Sequence, residues 1–269
     1  NLSRSYTNRF RIGGVKLTLD GSPQGKTAWL TEPYLVPPEG QKQGYRGYGA
    51  ISDAKANEQV AKAINNGWQI LVHGNGDAAI DQFIAAVRAS GPVEKARAVR
   101  PVLIHGQTLR RDQIPQLKEL GIFPSLFPMH TFYWGDWHRD SVLGNPRAQN
   151  ISPTGWVLEQ GMVFTSHHDA PVALPSSMRV LDATVNRTTR TGKVLGPEHR
   201  VSPWVALKAQ TIWSAYQHFE DDRKGSIEVG KLADLVILSD NPLTVAPHQL
   251  ASLQVLETIK EGRSVYKRQ

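Results

Sequence analysis

Four residues closing apolar, β-prone runs carry side chains suited to metal chemistry: Lys16, His73, His105 and Asp169. Imidazole nitrogen and carboxylate oxygen suit Zn2+ or a similar divalent ion. A single histidine at a strand end is more often a hydrogen-bonded structural group. Three such residues at matching places in successive units reverse that weighting and point to a site. Lys16 differs in kind. A protonated ammonium, with an ordinary pKa of about 10.4, is no ligand. Desolvated beside a metal, a lysine can lose its proton and add carbon dioxide, giving an anionic carbamate with two oxygens. Taken by itself, Lys16 reads as an ordinary lysine at a strand edge.

The elements that must position these residues share one grammar: a strand, a polar strand-end residue, a loop, then a helix. Residues 12–19 form an extended run holding Lys16. Residues 55–66 have helical periodicity stopped by Gly67, and residues 69–72 form a short strand ending at His73. Helical periodicity returns over 78–88, with Asn75 or Asp77 as its cap. Strand 101–104 ends at His105, helix 112–120 stops at Gly121, and strand 122–127 ends near His130. Helix 154–160 stops at Gly161, and strand 162–166 ends in His167-His168-Asp169. Strands alternating with helices predict a parallel sheet, and reactive strand C-termini favour a β/α barrel. Five such strands are legible where a full barrel has about eight; the missing three are expected to precede residue 1. Residues 133–150 show no clear period and read as a long active-site loop. Beyond Asp222 the pattern changes to a turn-rich piece, a strand at 233–238 and a hairpin over 255–266 turning at Glu261-Gly262. The expected division is therefore a partial barrel over 1–222 and a β segment over 223–269.

Composition excludes several classes. The 269 residues contain no cysteine, so disulfides, thiolate metal sites and cysteine nucleophiles are absent. The net charge is +7, but the basic residues are scattered and no basic run alternates with aromatics, so no nucleic-acid partner is expected. No apolar stretch is long enough to span a bilayer, and no membrane partner is expected. The compartment, cytoplasmic or periplasmic, stays open. There is no GxSxG elbow for serine hydrolysis. The late loops lack the glycine-rich nest of a phosphate-handling barrel. Gly74-Asn75-Gly76-Asp77 reads as a tight turn rather than a phosphate cradle.

Five segments carry a resemblance: GVKLTLDGSPQGKTAWL from Gly14, VHGNGDAAID from Val72, HGQ from His105, SHHDAPV from Ser166 and GSIEVGKLADLVIL from Gly225. In this order they resemble the amidohydrolase superfamily, in its amidohydrolase-3, YtcJ-like branch of metal-dependent hydrolases. The resemblance implies a (β/α)8 TIM barrel, of which this chain holds the later strands, and a C-terminal portion of a β-sandwich. It implies one or two divalent ions, Zn2+ by preference. Lys16 then matches the carboxylated lysine, His73 and His105 the paired histidine ligands, and Asp169 the aspartate that binds metal and shuttles the proton of the attacking water. His130 resembles a substrate-side histidine, with Phe127 where the family usually has glutamine. His168 stands where serine is frequent and becomes a candidate substrate contact. Asp20 is a candidate substrate contact or, more simply, a turn residue. Trp134 is a candidate pocket wall or ordinary packing.

The family opens its metal site with HxH, and no HxH occurs in these residues. His167-His168 cannot replace it, since adjacent strand residues face opposite ways. The expected reaction is hydrolysis of an amide or other non-peptide carbon–nitrogen bond of a small molecule. The alternative is an incomplete chain that depends on a partner, either a complementing N-terminal chain or a second copy in a homo-oligomer, or a remnant without catalysis.

Overall fold

The computed structural model describes residues 4–269. Five parallel strands lie in sequence order in one sheet: β1 (Gly14–Thr18), β2 (Gln69–Gly74), β3 (Val102–His105), β4 (Phe123–Leu126) and β5 (Thr165–Ser166). Parallel neighbours need long crossovers. These are α1 (Asp53–Asn65) between β1 and β2, α2 (Asp77–Ala89) and α3 (Val93–Val99) before β3, and α4 (Ile114–Leu120) before β4. Helix α1 starts where Ser52 accepts a hydrogen bond from the Lys55 amide. Helix α4 stops at Gly121, which takes the left-handed conformation that glycine adopts without penalty. Helix α2 lacks the expected side-chain cap: its N-cap is Gly76, and Asp77 is its first helical residue.

The strands alternate in the sense that matters for the site. Val15, Leu17, Ile70, Val72, Leu103 and Leu126 pack on the helices with Val60, Ile80, Phe83 and Leu117. Burying each such side chain contributes about 1.5–3 kcal/mol, so this interface fixes the register. The other face consequently presents Lys16 and Thr18 from β1, Leu71 and His73 from β2, Ile104 from β3 and Ser125 from β4.

Residues 133–150 are not a loop. They continue α5 (Met129–Trp137) into one π-helical turn, His138–Val142, and a short α6 (Asn145–Ala148). Tertiary packing overrides weak periodicity here: Val142, Leu143 and Ala148 join Leu30 and Tyr34 in a second core. After α7 (Thr154–Glu159) and β5 come α8 (Ser177–Asn186), α9 (Pro203–Gln210) and α10 (Ile212–Gln217). The chain then forms an antiparallel sheet of β6 (Leu235–Leu238), β7 (Val255–Lys260) and β8 (Arg263–Lys267), with the hairpin turning at Glu261-Gly262.

Candidate metal centre

The cluster at the strand C-termini is built on β1 and β2. Immediately after β1, Asp20 is 3% exposed. Its carboxylate accepts hydrogen bonds from the amides of Trp29, Asn75 and Gly76 at 2.7–3.0 Å. Gly76 is required there, because a Cβ would lie 1.9 Å from the Trp29 carbonyl oxygen. Burial pushes the Asp20 carboxyl up to about 6 against the opposing pull of those three amides. Asp20 thus ties the loop after β1 to the loop after β2, with His73 3.5 Å away.

His73 has its Nε2 2.9 Å from the Gly21 carbonyl oxygen. A carbonyl only accepts, so with the proton on Nε2 the neutral ring carries its lone pair on Nδ1; the Asn75 amide nitrogen, 3.1 Å from the same Nε2, then gives its N–H to the Gly21 oxygen at 2.8 Å. That Nδ1 lies 3.1 Å from His105 Nε2. His105 Nδ1 lies 3.1 Å from His167 Nε2, and His167 Nδ1 lies 3.1 Å from Ser125 Oγ. If the protons run outward along this chain, from His105 to His167 and from His167 to Ser125, His105 Nε2 is also left with a lone pair. Burial first, and then the neighbouring His167 and His73 rings, hold His105 well below the usual imidazole range. Burial likewise pushes His167 down to about 3. His105 and His167 are therefore neutral near pH 7, the state in which imidazole binds metal.

Strand register alone would turn His105 away from this cluster, because it pairs with Gly74 and Leu126 on the helix side. Its φ of +77° ends the strand and brings the ring round to His73. A left-handed backbone at a residue with a Cβ costs roughly 1–3 kcal/mol and concentrates at functional sites. Asp169 has the same feature, with φ +55°.

The other residues singled out in the sequence are placed as follows. Lys16 is exposed on β1 and lies close enough to lower the His105 and His167 rings electrostatically. Asp169 follows β5, and none of its described contacts involves its carboxylate. His168 accepts a hydrogen bond from the Ala170 amide at Nδ1, 3.2 Å. His130 is 2% exposed, with Nδ1 2.9 Å from His138 Nε2 and its ring against Phe127 and Trp134. The structure therefore brings His73 and His105 into contact and keeps Lys16 within electrostatic reach, while the Asp169 carboxylate has no described contact with them. It adds His167 and His138, which the sequence reading did not assign. The available signal for His167 was its place two residues before Asp169 at the end of β5.

Two imidazole nitrogens bound to one tetrahedral ion at about 2.0–2.1 Å lie about 3.3 Å apart. The facing His73 and His105 nitrogens, 3.1 Å apart, fit that spacing. The carbonyl on the far nitrogen of His73 is the usual outer support of a ligating histidine. Among the described residues no group of three imidazole or carboxylate side chains is arranged to hold one ion, so the donor set here is a pair.

The amidohydrolase family model matches residues 1–266. A Bacillus subtilis protein named as an amidohydrolase, YtcJ, is 27% identical over 96% of this chain and 47% of its own length. The N-substituted formamide deformylase of Arthrobacter pascens is 28% identical over 82% of this chain and 41% of its own. A crystal structure of a metal-dependent hydrolase from Pyrococcus horikoshii superposes with a TM-score of 0.77 and 26% identity, covering 91% of this chain and 48% of that one. The chain spans just under half the length of these relatives. Its fold is a partial α/β TIM barrel of the metal-dependent hydrolase type, with a small antiparallel sheet beside it. The chain belongs to the amidohydrolase family.

Proposed function

We propose that the protein takes part in metal-dependent hydrolysis of an amide or other non-peptide carbon–nitrogen bond in a small molecule. The observation that carries this is the pair of facing nitrogens, His73 Nδ1 and His105 Nε2, with His73 Nε2 fixed by the Gly21 carbonyl. The named activity of the Arthrobacter relative, removal of a formyl group from a substituted formamide, supports the bond class.

His73 and His105 would hold a divalent ion, Zn2+ by preference, with Lys16 joining as its carbamate. Such an ion supplies Lewis-acid activation of water and of the substrate carbonyl. Asp169 accepts the proton of the attacking water and returns it to the departing nitrogen. His167 holds the His105 ring through Nδ1, and Asp20 holds the loops that carry His73. His168 and Trp134 border the substrate, with His130 behind Trp134. The parallel-sheet part, to about residue 222, carries all of these groups.

A second reading has its own observation. At both edges of the five-stranded sheet, β1 and β5 each pair on one side only. In the small sheet Val236, Ile237 and Val265 are 45–63% exposed. Open edges and apolar faces favour a complementing chain or a second copy. Titrating Zn2+ into metal-stripped protein tests both readings. About one equivalent bound, weakened at least about tenfold by His105→Ala, supports the metal site. Binding without turnover of N-formyl amines supports the partner-dependent reading, and no binding by the wild-type chain sinks the first.

A further inference from the structure

A cavity of about 410 Å³ lies beside the strand C-termini, and none of His73, His105 and His167 lines it. That volume is in the range of small-molecule sites, about 300–1,000 Å³. Its apolar wall is Leu30, Leu109, Leu143 and Trp156, drawn from four separate segments. Three arginines line it, and they differ in a way that decides its chemistry: Arg111 is exposed and pairs with the Glu159 carboxylate at 2.8 Å. Arg110 is saturated, with hydrogen bonds to the carboxylates of Asp77, Asp81 and Asp112. Arg147 has no carboxylate in hydrogen-bond contact. Its guanidinium donates only to backbone carbonyls, those of Leu143 at 2.9 Å, Glu32 at 3.3 Å and Pro33 at 2.5 Å. Three of its five N–H donors are used in this way, which orients the fork and leaves two for a ligand. Burial lowers its pKa, an effect that Asp77 and Glu32 nearby oppose. The Glu32 side chain is exposed at this cavity and makes no described hydrogen bond.

We propose that this cavity is an accessory binding site for a small carboxylic acid with an apolar body, the carboxylate on Arg147 and the body against Leu30, Leu109, Leu143 and Trp156. An oriented guanidinium fork matches a planar carboxylate, and an apolar wall beside it selects against small inorganic anions. The site is separate from the barrel cluster but adjoins it through one loop: Asn75 contacts His73, and Asp77, two residues on, is in the cavity wall.

The test is calorimetric titration of the full chain with 4-phenylbutanoate and with its neutral amide. EDTA in the buffer prevents a carboxylate from binding through metal. One equivalent of the acid should bind, at least about tenfold more tightly than the amide. Arg147→Met should abolish the preference for the acid. Glu32→Gln, a change at an exposed side chain, should tighten acid binding about threefold by removing a like charge. Equal affinity for acid and amide, or no binding of either, overturns the proposal. If Arg147→Met fails to fold, the acid–amide comparison and Glu32→Gln still decide it. An unchanged acid affinity in Glu32→Gln would place the carboxylate elsewhere.

Discussion

The two ends of the candidate centre are built differently. At β2 and β3, His73 and His105 are held by a relay of contacts reaching Gly21, His167 and Ser125, and the loop beneath them is bolted by Asp20. At β5, Asp169 sits in a left-handed backbone with no partner for its carboxylate among its described contacts. The first end is preorganised by the protein itself. The second leaves the Asp169 carboxylate without a described partner.

Four measurements test that contrast. The largest effect is expected at the free end. Asp169→Asn should lower turnover by about 10²–10⁴-fold wherever turnover is measured. Its thermal stability should stay within about 0.5 kcal/mol, since no contact of the carboxylate is lost. A stability loss of several kcal/mol would show that Asp169 is a structural residue. At the bolted end the order reverses. Asp20→Ala strips three buried amides of their acceptor, and should cost about 3 kcal/mol or more in denaturant unfolding. A cost below about 1 kcal/mol would mean that the two loops are held by something other than Asp20.

The third measurement is stability against pH. Burial pushes His138 and His199 down to about 3 from 6.5. Below pH 6.5 the unfolded chain therefore takes protons that the folded chain refuses, and stability present above 6.5 is lost as pH falls towards 3. Asp20 works in the opposite sense. With its folded value near 6 against 3.8 unfolded, its contribution is present below 3.8 and lost as pH rises through 6. The histidines outnumber it, so the melting temperature should fall from pH 7 to pH 4. His199→Gln should flatten that slope, and an unaltered slope would show that His199 is not protonated on unfolding. The smallest effect is expected at His168, whose described hydrogen bond is with the Ala170 amide. His168→Ser should change stability by no more than about 1 kcal/mol, and a change in KM without one in kcat would make it a substrate contact.

Much of the scaffold is legible in the residues themselves. The strand ending at His73, the helix stopped by Gly121 and the hairpin at Glu261-Gly262 all stand where periodicity and turn residues put them. Residues 133–150 were illegible because their helical and π-helical turns answer to a core shared with Leu30 and Tyr34, far away in sequence. Within the site, residue type and strand-end position single out His73 and His105. His167 escaped because its neighbour His168 has the same chemistry, and only packing against Phe127 and Ser125 tells them apart.

The residues alone fix the alternation within each strand, because that period is a property of the extended chain; the pairing of β1 with β2 then sets Lys16 and His73 on one face. That His105 joins them depends on the folded backbone. Register sends its side chain the other way, and a φ of +77° brings it back. Such a backbone is unfavourable for an isolated residue with a Cβ, so it persists only because the surrounding packing holds it, which no local pattern of residues records.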